Sequence, residues 1–315
     1  MTVRPARWQI WSALLVIYIV WGSTYLAIKI AVRTLPPLLS GGARFVAASL
    51  LLAAIVAATG RSLHVSRQEV ASALLLGMML LTFGVGIVQA AETRIDSSVA
   101  AMIAGSVPLQ IVVWRTIARE RIAPATRLAA AVGLAGLALI VVPGGSSGGS
   151  TAVGLALMVG ATVSWSTGSY VSRRLSLPAD PFVATVYEML GGGIALILVG
   201  LMAGEGIHRA DLEASPILAW LYLVTAGSLV GFTAYAWLLR HVPISKVVTH
   251  QYVNPLVAIG LGSLILDERL TATTLAGAAI VVTAVFVTVQ HETRRPTQRP
   301  ETEPVDPCPE TVGSR

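Results

Sequence analysis

The feature that most constrains the fold of this chain is a series of long apolar windows that contain no Asp, Glu, Lys or Arg. Six of them have the length of a single membrane crossing: residues 8–28, 70–91, 97–114, 214–239, 247–266 and 270–291. A helix crosses the hydrocarbon core of a bilayer with about 20 apolar residues. A further window, residues 128–172, is too long for one crossing and is divided by the glycine- and serine-rich run 144–150. These windows predict eight membrane-spanning helices.

Two more apolar stretches each enclose a single charge. Residues 36–58 contain Arg44 and residues 181–203 contain Glu188, and both stretches begin with proline, which the first turn of a helix tolerates. Counting them gives an all-α membrane protein with ten transmembrane helices and the lipid bilayer as its surroundings. The composition agrees, because only 12% of the residues are charged, against about 25% in soluble domains.

The basic residues between the windows predict the orientation of the chain. With the N-terminus inside, 16 Lys and Arg residues fall in inside segments and four in outside segments, as the positive-inside rule requires. The protein is therefore expected in the inner (plasma) membrane as a multi-pass protein with both termini in the cytoplasm. The net charge of +6 is explained by topology, so no nucleic-acid partner is expected. The proline-rich residues 291–315 predict a disordered cytosolic tail. The acidic residues of the connections lean outward: Glu92, Asp96, Glu205, Asp211, Glu213, Asp267 and Glu268.

The two halves of the chain carry matching residues in the same order. Arg44 and Glu188 each lie seven residues after a proline and are 144 positions apart, as are Trp21 and Trp165. Two later matches are Val107-Pro108-Leu109 with Asn254-Pro255-Leu256, and Glu120-Arg121-Ile122 with Glu268-Arg269-Leu270. A repeat of five helices, an odd number, makes its second copy enter the membrane from the opposite side. The sequence therefore predicts two inverted repeats, residues 8–142 and 152–290, an arrangement in which transporters bind substrate near the midplane.

Four strings resemble the EamA-type repeat of the drug/metabolite transporter superfamily. They are Trp21-Gly22-Ser23-Thr24, Pro37 through Arg44-Phe45, Val253-Asn254-Pro255-Leu256 and Asp267-Glu268-Arg269-Leu270-Thr271. The resemblance covers roughly residues 8–290 and implies a ten-helix inner-membrane carrier for small metabolites, with export of amino acids and related compounds as a common activity. These motifs do not encode the substrate.

The two charges inside predicted helices are the first candidates for a transport site. A charge at mid-depth costs about 2.5–3.5 kcal/mol on insertion scales, so it is expected to face a cavity or a partner. Arg44 is expected to line the substrate cavity, or to be a structural arginine that binds carbonyl groups or extends to a lipid headgroup. Glu188 is the candidate for proton coupling, because a carboxylate in an apolar cavity can exchange a proton near neutral pH. The alternative for Glu188 is a salt bridge with Arg44 or Lys29.

The ninth predicted helix carries the richest polar stripe. Lys246, His250 and Asn254 share one face, and Gln251 lies beside them. Pro255 cannot donate to the carbonyl of Gln251, so kinks are predicted at Pro255 and at its counterpart Pro108. The stripe lines a cavity or bonds to neighbouring helices. Further cavity candidates, of which the aromatic ones can equally be interfacial anchors, are Thr24, Tyr25, Gln89, Trp165, Tyr170 and Tyr235.

Enzyme classes find little support in the sequence. Residues 145–149 match the G-x-S-x-G pattern, but no strand precedes them. The single cysteine, Cys308, and the scattered histidines predict no metal site and no cofactor. We therefore expect a secondary transporter that exports an amino acid or related small molecule by alternating access, driven by a gradient. The alternatives are a multidrug or cation exporter and a passive, channel-like facilitator. The oligomeric state is open and a monomer is compatible with the sequence.

Overall fold

The computed structural model describes residues 6–141, 150–208, 212–242, 247, 249–268 and 270–293, and this part of the chain is helical without strands. We number the helices α1 to α10 in chain order. They are α1 Arg7–Ala31, α2 Pro37–Ala58, α3 Arg67–Glu92, α4 Ser97–Ala104 and Val107–Ile117, α5 Pro124–Val141, α6 Ala152–Val171, α7 Pro181–Met202, α8 Ala214–Tyr222 to Gly231–His241, α9 His250–Leu266 and α10 Ala272–Thr293.

Nine of the helices in the described part of the chain are long and apolar enough to cross a membrane. The apolar part of α9, Val253–Leu266, is shorter, and residues 243–246 and 248 just before it lie outside the described residues. Large apolar side chains cover the outer surface, among them Met202 with 87% and Leu264 with 83% of the side chain exposed. Such a surface is stable in lipid rather than in water. The all-α membrane class is therefore confirmed.

Three predicted segments fall wholly or partly outside the described residues. In the glycine-rich run 144–150, only Ser150 is among the described residues. Lys246 and Cys308 also lie outside the described residues. Helix α10 continues to Thr293, so the first three residues of the predicted tail are helical, and residues 294–315 are not described.

Irregular backbone recurs at a nearly constant offset along the chain. Helices α3 and α8 each contain a π-helical segment, Met78–Gly86 in α3 and Leu223–Val230 in α8. Helices α2 and α7 are each followed by a glycine in the left-handed region, Gly60 with φ of 72° and Gly204 with φ of 78°. After α4 and α9 the left-handed residue is Arg119 or Asp267. A left-handed residue satisfies the last carbonyl groups of a helix, and glycine adopts it without strain.

Helix α2 packs extensively on α7, and α5 packs extensively on α10. Glycines permit this proximity. A Cβ added to Gly42 of α2 would lie 2.7 Å from the carbonyl oxygen of Gly193 in α7. A Cβ added to Gly277 of α10 would lie 2.7 Å from the carbonyl oxygen of Gly136 in α5. Close approach of backbones at small residues is the usual basis of helix association in membranes.

The two predicted kinks differ in the structure. Helix α4 is interrupted at Gly105–Ser106, and Pro108 is the second residue of its second part. Helix α9 continues through Pro255. A Cβ on Gly105 would lie 3.1 Å from Cγ of Pro255 and 3.5 Å from the carbonyl oxygen of Gln251. The interruption of α4 therefore packs directly against the proline turn of α9.

Acidic residues that the sequence placed in connections act as caps for neighbouring helices. Glu205 accepts hydrogen bonds from the backbone N–H groups of Leu38 (3.0 Å) and Leu39 (2.8 Å) at the start of α2. Glu268 accepts from the backbone N–H and the hydroxyl of both Ser97 and Ser98 at the start of α4. Burial alone would raise the pKa of Glu268, but these four hydrogen bonds outweigh it and lower the pKa below its ordinary value.

Candidate functional site

A cavity of about 120 Å³ lies among α1, α2, α3, α4, α6, α8 and α9. Seven of the eleven side chains that the sequence nominated for the substrate cavity line it: Thr24, Tyr25, Arg44, Trp165, His250, Gln251 and Asn254. Arg44 is the only Lys, Arg, Asp or Glu side chain among the described residues that form its wall. The cavity is therefore a mostly apolar and aromatic space with one cation.

Arg44 is held in place along one edge only. Its side chain is 3% exposed, and its Nε donates a hydrogen bond of 2.9 Å to Oγ of Ser228. The guanidinium carbon lies 4.9 Å from the ring centroid of Phe45. Nη1 is buried and has no hydrogen-bond partner. A guanidinium presents a planar fork that suits a carboxylate or phosphate, so this free nitrogen is a ready donor for an oxyanion.

Aromatic rings pack together at one side of the cavity around Trp21. The Trp21 ring lies 5.3 Å from Phe232, 5.1 Å from Tyr235 and 5.1 Å from His250, centroid to centroid. Its Nε1 donates to the carbonyl oxygen of Gly227 at 3.2 Å. Nδ1 of His250 lies 2.8 Å from the carbonyl oxygen of Val247, and because a carbonyl oxygen only accepts, Nδ1 is the donor. The rings form a rigid wall because each is tied to the backbone or to its neighbours.

Part of the polar stripe on α9 bonds to α1. With its amide nitrogen turned toward them, Asn254 donates to the carbonyl oxygens of His250 (3.1 Å) and Tyr18 (3.2 Å). The hydroxyls of Tyr18 and Thr249 are hydrogen-bonded to each other. Both interpretations of the stripe therefore apply to α9, since Asn254 lines the cavity and also joins two helices.

The π-helical segments, which lie in or against the cavity wall, are features that the sequence reasoning missed. Gly84 and Val85 of the segment in α3 line the cavity. In the segment of α8, Gly227 accepts from Trp21 and Ser228 accepts from Arg44. A π turn displaces backbone groups from the regular ladder and is frequent at functional sites. The periodicity of apolar residues in the sequence does not distinguish a π turn from an α turn. Only the glycines within both segments indicate the irregular backbone.

Four of the nominated side chains lie outside the cavity wall: Gln89, Tyr170, Glu188 and Tyr235. Gln89 is buried and its side-chain amide packs against Gly41 of α2. The amide nitrogen Nε2 has no hydrogen-bond partner. Tyr235 packs behind the wall on Trp21 and His250. Tyr235 therefore supports the cavity wall from outside.

Tyr170 belongs to a polar cluster at the end of α6. Its hydroxyl donates to Glu120 at 3.1 Å and accepts from Arg174 at 2.7 Å. The hydrogen bond from Arg115 at 2.8 Å and the neighbouring donors hold the pKa of Glu120 below its ordinary value. The cluster joins the connection after α4 to the end of α6, away from the cavity.

Glu188 lies on α7 where α3 approaches most closely. A Cβ on Gly77 of α3 would lie 2.1 Å from the carbonyl oxygen of Glu188. The salt bridge that was the alternative for Glu188 is not among the ion pairs of the described residues. Arg44 bonds to Ser228, and Nζ of Lys29 donates to the carbonyl oxygens of Glu92 and Ile95.

Glu92 corrects an expectation from the sequence. It was assigned to an exposed outside connection because it follows the charge-free window 70–91. In the structure it is the last residue of α3 and its side chain is 0% exposed. Neither carboxylate oxygen has a hydrogen-bond partner. Among the described residues, no group of three His, Cys, Asp or Glu side chains is arranged to hold a metal ion.

Comparison with known proteins agrees with this architecture. The profile of the EamA-like transporter family matches residues 8–142 and 152–290. The "Uncharacterized inner membrane transporter YedA" of Escherichia coli K12 is 33% identical over 279 residues, which cover 88% of this chain and 90% of the relative. The "Probable amino-acid metabolite efflux pump" of Salmonella typhimurium LT2 is 27% identical over 289 residues, covering 87% and 93%.

A solved crystal structure of a protein superimposes with a TM-score of 0.64 at 19% identity and covers 91% of this chain and 99% of its own. At 19% identity this structural similarity supports the fold alone. Together with the family profile and the relatives, the helical architecture and the apolar outer surface lead to one conclusion: the chain is a multi-pass membrane protein that belongs to the EamA-like transporter family.

Proposed function

We propose that this protein is a secondary transporter that exports an amino acid or a related carboxylate-bearing metabolite by alternating access. The observation that carries the proposal is Arg44, a buried cation in the wall of the cavity with one unpartnered nitrogen. A buried polar group without a partner costs free energy. A substrate carboxylate that accepts from Nη1 removes this cost, so the cavity selects for the anion.

The remaining wall matches an apolar substrate body. Trp21, Tyr25, Trp165 and Phe232 line the cavity beside small side chains. Apolar and aromatic surfaces with a few directed polar groups are typical of small-molecule sites. The multidrug or cation exporter is less compatible, because a cation in this cavity would lie beside Arg44 without a carboxylate in the described wall. Relatives named as amino-acid metabolite efflux pumps support the same substrate class.

Alternating access requires two structural units that move against each other around the site. We propose two inverted five-helix repeats, residues 8–142 and 152–290, with α9 as the tenth transmembrane helix. The paired π-helical segments, the paired left-handed helix ends and the packing of α2 on α7 and α5 on α10 support this symmetry. We further propose that a gradient drives transport and that the protein lies in the inner membrane with both termini in the cytoplasm. The proposed transporter uses no cofactor and binds no nucleic acid. A monomer suffices because one chain encloses the cavity.

Ligand screening followed by exchange measurements tests this proposal. Purified protein in detergent is heated with L-phenylalanine, L-leucine, L-lysine or ethidium, since a ligand of the native state raises its apparent stability. We expect stabilisation by one of the neutral amino acids. In proteoliposomes, the same amino acid should show saturable uptake that is accelerated by unlabelled amino acid on the opposite side.

Two outcomes would contradict the proposal. Stabilisation by ethidium alone would favour the cation exporter. Uptake that neither saturates nor responds to substrate on the opposite side would favour a channel-like facilitator, because a pore has no step in which a loaded carrier must return.

A further inference from the structure

Glu92 occupies a position from which it can act on the cavity. It follows Val88, which lines the cavity, by one helical turn on the same face of α3. Its carboxylate is 0% exposed and both oxygens lack partners. An ionised carboxylate that is buried without donors is strongly unfavourable. The arrangement in the structure therefore corresponds to the neutral, protonated acid.

The nearest cation contacts the backbone of this segment instead of the carboxylate. Nζ of Lys29 in α1 donates to the carbonyl oxygen of Glu92 at 2.7 Å and to that of Ile95 at 2.6 Å. The ammonium group thereby joins α1 to the turn between α3 and α4. This turn leads directly to Ser97 and Ser98, which Glu268 clamps.

The charged and titratable groups around Glu92 come from three other elements. Helix α1 contributes Lys29 and Tyr25, α2 contributes Arg44, and the connection between α9 and α10 contributes Glu268. In the described residues, the other helices packed on α3, namely α4, α6 and α7, contribute no charge that acts on it.

We propose that Glu92 is the proton-binding carboxylate of the transport cycle and that Lys29 is the group that responds to its protonation. When water reaches the carboxyl group, the proton passes to that water, and the resulting anion attracts the Lys29 ammonium group. Lys29 then leaves the carbonyl oxygens of Glu92 and Ile95 to pair with the carboxylate. The hydrogen bonds between α1 and the α3–α4 turn are then broken, and α1 can separate from α3.

Coupling to substrate rests on the proposed function. An amino acid whose carboxylate binds Arg44 also carries an ammonium group, and Arg44 and Glu92 are close enough to act on each other electrostatically. The ammonium group stabilises the ionised form of Glu92, so binding of substrate displaces the proton. One proton is exchanged for one substrate molecule. A sodium ion is a poor occupant, because hard cations gather several oxygen ligands and Lys29 already binds the adjacent carbonyl groups.

The first experiment detects the protonated carboxyl group without substrate. Dicyclohexylcarbodiimide reacts with protonated carboxyl groups in apolar surroundings, and mass spectrometry locates the modified peptide. We expect modification of Glu92 in the wild type at neutral pH and its loss in Glu92→Gln. The matched control Glu188→Gln, which removes the carboxylate that the sequence nominated for coupling, should retain modification of Glu92. Modification confined to Glu188 would overturn the proposal.

The second experiment measures coupling in proteoliposomes with L-phenylalanine. A pH gradient should drive accumulation by the wild type and by Glu188→Gln. Glu92→Gln should lose this accumulation while it still exchanges labelled for unlabelled amino acid, which shows that the variant is folded. Accumulation by Glu92→Gln in response to the pH gradient, or by the wild type in response to a sodium gradient alone, would overturn the proposal. If no variant and no wild-type protein exchanges any amino acid, the proposed function fails, whereas the carbodiimide result on Glu92 still stands.

Discussion

Replacement of Arg44 by methionine separates a substrate-binding arginine from a structural one. Methionine retains much of the length of the arginine side chain but removes the charge and all hydrogen-bond donors. A substrate-binding role predicts that Arg44→Met loses amino-acid binding without losing stability. A structural role predicts the opposite combination, so the two measurements together decide between them.

The expected change in stability follows from the surroundings of Arg44. A buried arginine at mid-depth costs about 2.5–3.5 kcal/mol. Two interactions of the Arg44 side chain offset this cost. The hydrogen bond to Ser228 contributes about 1.5–3 kcal/mol for a charged donor, and the contact with the Phe45 ring contributes about 0.5–2 kcal/mol. These contributions cancel to within about 2.5 kcal/mol in either direction. We therefore expect the melting temperature of the variant without ligand to lie close to that of the wild type.

The expected change in binding is larger. Loss of one charge-assisted hydrogen bond to the substrate carboxylate costs about 1.5–3 kcal/mol, which corresponds to an increase in Kd of about 10- to 150-fold. The assay is a titration of melting temperature with L-phenylalanine for wild type, Arg44→Met and Ser228→Ala. Ser228→Ala retains the charge but loses the acceptor that orients it, so its affinity should fall by less. A variant that melts well below the wild type yet keeps its ligand-induced shift would refute this reasoning.

Two further predictions concern the framework around the site. Because the pKa of Glu268 is lowered in the folded protein, its carboxylate stabilises the fold at pH values above the ordinary glutamate value. This contribution is lost as the pH falls through the pKa of Glu268 in the folded protein. The difference in melting temperature between wild type and Glu268→Gln should therefore vanish in acid. A difference that persists in acid would contradict this prediction. Gly77→Ala places a Cβ 2.1 Å from a carbonyl oxygen of α7 and should destabilise by about 1–3 kcal/mol. Gly160→Ala is its control, with no atom within 4 Å of the new Cβ, and an equal loss in both variants would show that packing against α7 is not the cause.

The comparison of Arg44 with Glu188 shows how far sequence reasoning reaches. Both were nominated because each is a lone charge at the same offset in an apolar stretch. Arg44 lines the cavity, whereas Glu188 lies at the contact of α7 with α3. The offset predicts equivalent places in the sequence, but it does not state whether the side chain at each place borders the cavity. That depends on the neighbours of each helix.

Glu92 shows a different limit of sequence reasoning. A charge at the end of an apolar window looks like the start of a connection, and membrane-spanning windows are counted up to such charges. The helix includes Glu92 because Lys29, a residue 63 positions away, satisfies the carbonyl groups at its end. Local sequence contains no sign of a partner at that distance. The π-helical segments escaped notice for a related reason, since the apolar pattern is the same on either side of them.

The sequence by itself determined the membrane class, the helical architecture and the family, because charge-free windows of membrane length and the motifs near Trp21, Arg44 and Asn254 are local patterns. The tertiary structure decided which polar groups meet. In a membrane protein the side chains that face lipid are as apolar as those that face other helices, so hydrophobicity does not tell the inner from the outer surface. Close contacts at glycines such as Gly77 and Gly105 bring the helices together. Only this packing leaves Arg44 with a free donor in a cavity and buries Glu92 without a partner beside it.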